Sequence, residues 1–360
     1  MDDLGKIWVV IGLMTIGILI LAYGYVGITG KVVSEVIIDR SAKIGFMAPL
    51  TGDASSDGLS IKRGVDLALE DSGLENVKVI YEDSGCDGKQ SASVVQKLIK
   101  IDNVIAIVGE TCSGATLAAA PIAEAREVVM VSPSSTSPKI TDAGDYIFRT
   151  VPSDALQGDF AGNMIFDRGY EKLAILYSNE DYGVGLEGVL RKTFNDLGGQ
   201  VLSSEAFERG STDVRTQLTK IKDRGPDSIY VISNSPDSAI SVLRQINELE
   251  IDSVLFGSNG LKIPEVLDSG FAENLTITSI SSGTEDFAEK YKILYGEDPG
   301  PFAAQAYDAF SAIAMALKKG ALSGEQIKKE LYNLQFQGAS GKIEFDENGD
   351  LAGNYDYIIG

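Results

Sequence analysis

Histidine is entirely missing from this sequence of 360 residues. Ser-His-Asp and Cys-His catalysis both need an imidazole base, and most catalytic zinc sites have histidine ligands. Cysteine is nearly missing as well: only Cys86 and Cys112 occur, and two cysteines alone do not complete a zinc site. These absences argue against a hydrolase, so we expect no enzymatic activity, no catalytic residues and no metal site.

Positive charge is also scarce. The chain has 31 Lys and Arg residues against 52 Asp and Glu residues, which gives a formal net charge of −21. Binding to nucleic acid needs a basic face for the phosphates, so nucleic acid is excluded as a partner. In other respects the composition, 44% hydrophobic and 23% charged, is that of a globular protein long enough for two domains.

One long stretch, residues 7–30, has no charged side chain. About 22 residues of helix at 1.5 Å each span roughly 33 Å, which is enough to cross a bilayer. Trp8 and Tyr23 lie near its ends, where aromatic rings favour the membrane interface. We therefore expect a transmembrane helix at residues 7–28, with the rest of the chain outside the cytoplasm. The alternative is a signal peptide cleaved near residues 22–24.

Short apolar segments alternate with amphipathic segments from residue 43 onward, an order typical of βαβ units on a parallel sheet. The pattern restarts near residue 173, which indicates two similar doubly wound halves. The predicted strands are 43–49, 77–82, 104–108, 128–132, 173–177, 200–207, 228–233, 254–257, 275–280 and 355–359. The predicted helices are 61–72, 91–101, 113–126, 182–197, 214–224, 236–249, 301–319 and 323–333.

In open parallel sheets, ligands bind beyond the carboxyl ends of the strands. This rule selects the polar loops 51–57, 83–87, 109–113, 133–136, 178–182, 234–237 and 258–260. Asp57, Asn234 and Asn259 lie in three of these loops and are candidate ligand-binding residues.

Two neighbouring loops are rich in hydroxyl groups. Ser113 begins a predicted helix, where free backbone N–H groups and a partial positive charge favour a carboxylate. Ser134, Ser135 and Thr136 follow the next strand, between two prolines. Together the loops provide donors for both oxygens of one carboxylate. The simpler interpretations are a helix-capping serine and an ordinary surface loop.

Two formal motifs fail on their spacing. The glycines of 183–188 match GxGxxG, but five residues separate them from the strand, and two of these residues are acidic. We therefore expect no nucleotide and no cofactor there, and Tyr182 instead suits a ring that covers a ligand. Residues 346–350 begin like a calcium loop, but Leu351 and Tyr357 stand where glycine and glutamate are required. A hairpin turn is the better interpretation.

The two cysteines form an even pair. In an exported chain such a pair suggests one disulfide, which would close a loop of ~27 residues and contribute about 3.5 kcal/mol. The alternative is a pair of reduced, buried thiols.

At these residues the chain resembles the periplasmic branched-chain amino acid binding proteins, the type I solute-binding components of ABC importers. The resemblance covers residues 43–358, and its firmest points are IGFMAPLTG at 44–52 and DSGCDGKQSA at 83–92. It implies a Cys86–Cys112 disulfide. It also implies the following roles: Ser113, Ser134 and Thr136 hold the α-carboxylate of an amino acid, Tyr182 closes over the ligand, and Asp154 lies at the first crossover between lobes.

The resemblance further implies an α/β chain of two doubly wound parallel-sheet lobes joined by three crossovers and preceded by the membrane segment. Residues 1–40 would be anchor and linker, 41–152 with 281–348 the first lobe, and 153–280 with 349–360 the second. Hinge closure around a small amino acid, favoured to be of the branched-chain type, would be recognised by a permease with its ATPase. We expect a monomer or a weak dimer in the periplasm or on the outer face of the cell membrane.

Two departures from the family pattern concern the ligand. Asn259 stands where amino acid binders have a glutamate for the ammonium, and Asp57 stands where the family often has an aromatic residue. On one interpretation, Asp57 supplies the negative charge that Asn259 lacks. On the other, it only caps the helix that follows it. If Asp57 and Asp154 do not reach an ammonium, the ligand is an amide, a urea-like solute or a carboxylate. A ligand-sensing ectodomain is the remaining alternative.

Overall fold

A computed structural model describes residues 42–351 and 358–359 of the chain. The first five strands are β1 (Ala42–Ala48), β2 (Val77–Asp83), β3 (Ala106–Val108), β4 (Val129–Ser132) and β5 (Ile147–Arg149). They form one parallel sheet in the order β2-β1-β3-β4-β5. The helices between these strands are α1 (Ser55–Ser72), α2 (Gly88–Lys97) and α3 (Ser113–Glu124).

A second sheet follows along the chain. Its strands are β6 (Lys172–Ser178), β7 (Gln200–Phe207), β8 (Ser228–Ile232), β9 (Val254–Gly257) and β10 (Leu275–Ser279). The accompanying helices are α4 (Asp154–Asp167), α5 (Asp181–Asp196), α6 (Arg215–Arg224), α7 (Pro236–Glu248) and α8 (Pro264–Leu267). The parallel order is β10-β9-β8-β6-β7. Each half therefore builds its own sheet.

The chain then returns to the first sheet. It adds α9 (Glu285–Tyr295), α10 (Ala303–Lys318) and α11 (Gly324–Tyr332), followed by the hairpin of β11 (Gln335–Gln337) and β12 (Lys342–Glu344). Finally β13 (Ile358–Ile359) pairs antiparallel with β10 at the edge of the second sheet. The chain thus passes between the sheets three times, which confirms the two-lobed α/β architecture expected from the sequence.

The alternation of side chains along each strand explains why both sheet faces are covered. In β1, Ile44 and Phe46 pack into the cluster that contains Ile61 of α1, whereas Met47 packs on the opposite face with Val95 of α2. All of these side chains are fully buried. A strand buried on both faces is apolar without interruption, which is the pattern typical of parallel sheets.

Most predicted strands and long helices are confirmed within a few residues at their ends, as far as the described ranges extend, but the helix predicted at 61–72 begins six residues earlier, at Ser55. The helix predicted at 91–101 begins earlier, at Gly88, because Asp87 caps it, and it ends in a π-helical turn. The prediction missed β5, α4, α8, α9 and the β11–β12 hairpin. The sequence of α4 shows only a weak amphipathic pattern, which is why the helix was missed. Part of its buried face consists of glycine, because α4 packs closely on α5: a β-carbon on Gly158 would lie 2.8 Å from Val189.

The predicted transmembrane segment, residues 7–28, lies outside the described residues, as do positions 355–357 of the last predicted strand. Within 42–351 and 358–359, every helix is too short or too polar to cross a membrane.

Candidate functional site

A cavity lies where the carboxyl ends of the two sheets face each other. Counted together with the space that is open to solvent, about 430 Å³ between its walls is free of protein atoms. Loops after β1, β3 and β4 line it from the first sheet, and loops after β6, β8 and β9 line it from the second. Its lining residues are Ala54, Asp57, Thr111, Cys112, Ser113, Ser134, Thr136, Tyr182, Asn234, Asn259, Gly260 and Phe302.

Most residues proposed from the sequence meet at this cavity. Those in its wall are Asp57, Ser113, Ser134, Thr136, Tyr182, Asn234 and Asn259. Ser135 and Asp154 lie behind the wall, and both are fully buried. The rule that ligands bind beyond the carboxyl ends of parallel strands therefore selected loops that meet at a single cavity.

A disulfide fixes one side of the cavity. Cys86 and Cys112 are bonded, with their Cα atoms 5.4 Å apart, which confirms the pairing and ties the loop after β2 to the loop after β3. Beside this bond, the carboxylate of Glu110 accepts hydrogen bonds from the Ser84 hydroxyl and from the Cys112 N–H (3.2 Å). Burial raises the pKa of Glu110 to about 7, and the two hydrogen bonds oppose that rise. Sequence reasoning missed Glu110.

The hydroxyl loop after β4 is held by its own side chains. The Ser134 hydroxyl donates to the Thr111 carbonyl (2.7 Å), and the Ser135 hydroxyl donates to the Glu110 carbonyl (3.1 Å). Ser113 Oγ accepts a hydrogen bond from the Ser137 N–H (3.1 Å), so it orients the same loop. The side chain of Ser135 thus joins two loops instead of facing the cavity.

A fully buried arginine, Arg149, supports this loop from behind. Its Nη1 donates to the carbonyl oxygens of Thr136 (3.1 Å) and Ser137 (3.0 Å). Its Nε and Nη2 bind the two carboxylate oxygens of Asp350 at 2.5 and 2.6 Å, the bidentate geometry that suits a guanidinium. The sequence contained a signal for this role: a single arginine within an apolar stretch. Because a buried cation is normally paired, such an arginine predicts an acidic partner elsewhere in the chain.

The opposite wall comes from the second sheet. Tyr182 in the first turn of α5 is only 6% exposed, and its hydroxyl donates to Asn259 Oδ1 (2.9 Å). Asn234 Oδ1 is buried and has no hydrogen-bond partner among the described residues. A β-carbon on Gly183 would collide with the Ser178 carbonyl, so this glycine of the formal GxGxxG motif serves helix packing.

Two carboxyl groups near the cavity are not neutralised. Asp57 Oδ1 and both carboxyl oxygens of Asp154 are shielded from solvent and accept no hydrogen bond of regular geometry within residues 42–351, although the Thr136 hydroxyl lies beside the Asp154 carboxyl group. Burial raises the pKa of Asp57 to about 7; Glu265 raises it further, and Arg209 opposes the rise. Burial likewise raises the pKa of Asp154 to about 7, against the Thr136 hydroxyl and the charge of Arg149.

Asp57 does not cap the helix in which it lies. The N-cap of α1 is Ala54, and no side chain accepts a hydrogen bond there. The capping interpretation of Asp57 is therefore wrong, and its carboxyl group is available to the cavity.

Ion pairs join loops of the two sheets beside the cavity. Arg209, which follows β7, donates to Asp53 after β1 (3.2 Å), with Glu180 4.0 Å from its Nε. Lys139, after β4, pairs with Asp181 at the start of α5 (2.8 Å). Both pairs connect the two walls of the cavity, so they favour the arrangement in which the walls are close.

Neither lysine nor arginine occurs among the described residues that line the cavity. No group of three or more Cys, Asp or Glu side chains in the described part of the chain is placed to hold a metal ion. The first sheet thus offers hydroxyl and N–H donors together with the carboxyl group of Asp57, and the second sheet offers the amide groups of Asn234 and Asn259.

Comparison with known proteins gives a consistent result. A family model described as periplasmic binding protein matches residues 41–358. The Leucine-, isoleucine-, valine-, threonine-, and alanine-binding protein of Pseudomonas aeruginosa is 31% identical over 334 residues, which cover 88% of each chain.

Solved structures are similar over most of the chain. A leucine binding protein from Thermotoga maritima superposes with a TM-score of 0.80 at 29% identity, covering 89% of this chain and 97% of that chain. The branched-chain amino acid transporter substrate binding protein of Streptococcus pneumoniae, in complex with isoleucine, has a TM-score of 0.79 at 27% identity and covers 89% and 100%.

Proposed function

Because the chain belongs to the periplasmic binding protein family, whose members are solute-binding proteins and not enzymes, we propose that it binds an amino acid outside the cytoplasm for an ABC importer. The ligand lies in the cavity between the two sheets. The observation that carries this proposal is the presence of both neutral donors and unpaired carboxyl oxygens at one cavity, a combination that matches a zwitterion.

The α-carboxylate of the ligand binds to the first sheet. Thr136 and Ser113 offer hydroxyl groups at this wall, and Ser134 contributes its backbone because its hydroxyl is bonded to Thr111. The N-terminus of α3 adds N–H groups and a partial positive charge. Since no basic side chain lines this cavity among the described residues, these neutral donors hold the carboxylate.

The ammonium of the ligand binds to Asp57 and Asp154, with Asn234 Oδ1 as a further acceptor. Each of these groups has a buried oxygen that no described residue satisfies. A buried acceptor without a partner costs about 1–3 kcal/mol, and a bound ammonium removes that cost. Asn259 contributes differently, because its amide oxygen already accepts from Tyr182 and its NH₂ group is left as a donor.

Binding drives closure, since the contacts come from both sheets. We propose lobe boundaries at residues 152/153, 280/281 and 348/349, with the permease and its ATPase recognising the closed form. Anchoring by a helix at residues 7–28 and a monomeric or weakly dimeric state belong to the same proposal.

A neutral amide or urea-like solute is the second candidate. Asp57 has a pKa of about 7, so near neutral pH half of this group is uncharged, and Asn234 and Asn259 are amides. Such a wall also suits a guest without an ammonium group.

A thermal-shift panel on the purified protein distinguishes the candidates. A ligand at 100 times its Kd adds about 2.7 kcal/mol to the free energy of unfolding, which visibly raises Tm. We expect zwitterionic amino acids to raise Tm and Thr136→Ala to weaken that effect. If only amides or plain carboxylates raise Tm, the amino acid assignment is wrong.

A further inference from the structure

A second cavity adjoins the first. Counted together with the space that is open to solvent, about 800 Å³ between its walls is free of protein atoms, and it shares Asn259 and Phe302 with the wall of the first cavity. Its other lining residues come from α8 and the turn before it, from the end of β10 and the residues that follow, and from the start of α10 and the segment before it.

Lys262 is the one basic side chain among the described residues of this wall. The single carboxylate there, Asp298, is already paired with Lys292 at 2.9 Å. Much of the remaining wall is proline, leucine, isoleucine and phenylalanine. The cavity therefore combines an apolar lining with one positive charge.

The ammonium of Lys262 has no hydrogen bond or ion pair with any residue in the described ranges. Lys262 is partly buried, and burial lowers its pKa with no carboxylate opposing that change. Its backbone is held in place, because it follows the 3-10 turn Asn259–Leu261 and its neighbours Leu261 and Ile263 are buried. A desolvated lysine without a counter-ion is costly, so this place favours an anion.

We propose that the second cavity binds the side chain of the amino acid and that Lys262 pairs with a carboxylate at the far end of that side chain. This inference rests on the proposed function and narrows its ligand class to acidic amino acids. The side chain passes between Asn259 and Phe302, the two residues common to both cavities. Its methylene groups then contact the apolar lining, and the terminal carboxylate supplies the charge that Lys262 lacks.

The test compares matched ligands on matched variants. Glutamate and 2-aminoadipate are titrated by calorimetry against their neutral counterparts, glutamine and norleucine, with the whole protein and with Lys262→Met. Lys318→Met, an exposed lysine at the end of α10 outside both cavities, is the control for loss of one positive charge. The Tm without ligand verifies that each variant folds.

We expect the acidic ligands to bind at least about tenfold more tightly than their neutral counterparts, a difference of about 1.4 kcal/mol. Lys262→Met should abolish this preference by weakening the acidic ligands much more than the neutral ones, and Lys318→Met should leave the preference as it is. Equal losses for acidic and neutral ligands, or no preference in the unmodified protein, would overturn the role of Lys262.

Different results would overturn the role of Lys262 and the assignment of an amino acid as the ligand. If leucine and norleucine bind but acidic amino acids gain nothing from Lys262, the inference is wrong and the amino acid assignment stands. If glutarate, which has no amino group, binds as well as glutamate and depends on Lys262, the subsite stands and the ammonium contacts are wrong. If no amino acid binds, both are overturned.

Discussion

Asp57 is the single residue in which the demands of folding and of ligand binding conflict most clearly. Burial without a partner raises its pKa to about 7, so the protein without ligand keeps this group largely protonated in mild acid. An ammonium ion, in contrast, requires the ionised form. The same residue thus disfavours charge before binding and needs it afterwards.

Affinity for a zwitterionic ligand should therefore depend on pH. Below pH 7 the carboxyl group must release a proton on binding, so Kd should increase by up to about tenfold per pH unit for each such group. Asp57→Asn should weaken binding and make the pH profile shallower, because Asp154 is then the one remaining carboxyl group of the proposed ammonium site that titrates near 7. Calorimetry between pH 5.5 and 8 measures this dependence. Asp223→Asn, on the exposed side of α6, is the control, and a profile unchanged by Asp57→Asn would contradict the assignment.

Arg149 is a second residue of interest, because it connects segments that are far apart in the chain. It links the carbonyl groups of the 136–137 loop to Asp350, 201 residues further along the chain. Removal of one member of a buried ion pair costs about 3–5 kcal/mol, because the remaining charge is left without a partner.

We expect Arg149→Met to lower the free energy of unfolding by about that amount and to weaken ligand binding through the Thr136 loop. Urea denaturation measures the loss. The double variant Arg149→Met with Asp350→Leu removes both charges and should recover part of it. If the single and double variants are equally unstable, the ion pair is not the cause.

At the scale of elements, small residues let the two halves meet. A β-carbon on Gly185 of α5 would lie 2.9 Å from Pro138 in the loop after β4, and one on Gly114 of α3 would lie 3.1 Å from Asp181. Both contacts join an element of one sheet to an element of the other. Next to them lie the ion pairs of Arg209 and Lys139.

These two ion pairs should differ in strength. The side chain of Lys139 is 60% exposed and its partner Asp181 is 36% exposed, so solvent screens the pair and its contribution is small, at most about 1 kcal/mol. Arg209 is 19% exposed and lies between two acids. Arg209→Gln should increase the ligand dissociation rate about tenfold, whereas Lys139→Gln should increase it less than about threefold. Stopped-flow fluorescence measures both rates, and the reverse order would show that exposure does not decide their strength.

The whole molecule carries several buried carboxyl groups with raised pKa values. Asp57, Glu110 and Asp154 have values of about 7, and Asp308 has a value of about 6, in each case chiefly because of burial. In the unfolded chain these groups ionise near pH 4. A group with a raised pKa in the folded state contributes stability at low pH and loses that contribution as the pH rises through the folded value.

The protein without ligand should therefore be more stable at pH 5.5 than at pH 8. We expect its Tm to fall by several degrees over this range, at about 2–4 °C per kcal/mol for a chain of this size class. An ammonium ligand reverses the trend at Asp57 and Asp154, so the ligand-induced rise in Tm should be larger at pH 8. Differential scanning calorimetry at both pH values tests this, and a Tm that rises with pH without ligand would contradict it. Asp154→Asn should reduce the pH dependence.

Much of the fold and many of the candidate site residues could be predicted because they depend on local patterns. Uninterrupted apolar segments such as 173–177 indicate strands covered on both faces, and the order of strands and helices implies a parallel sheet whose carboxyl-end loops converge. That rule selects the loops that contain Ser113, Thr136 and Tyr182, and the hydroxyl content of the loops and the family resemblance select these residues within them. The pairing of Cys86 with Cys112 required only an even count and the family pattern.

The tertiary structure decided the properties that depend on contacts between residues far apart in the chain. Local sequence shows neither that the Ser135 hydroxyl points away from the cavity nor that Arg149 pairs with Asp350. The unpaired state of Asp57 and the unpaired charge of Lys262 exist only because other elements enclose them and bring no partner. Local sequence determines the hydrophobic period of each segment and the positions of the loops. The desolvation of a charged side chain and its lack of a partner result from the packing of the whole chain.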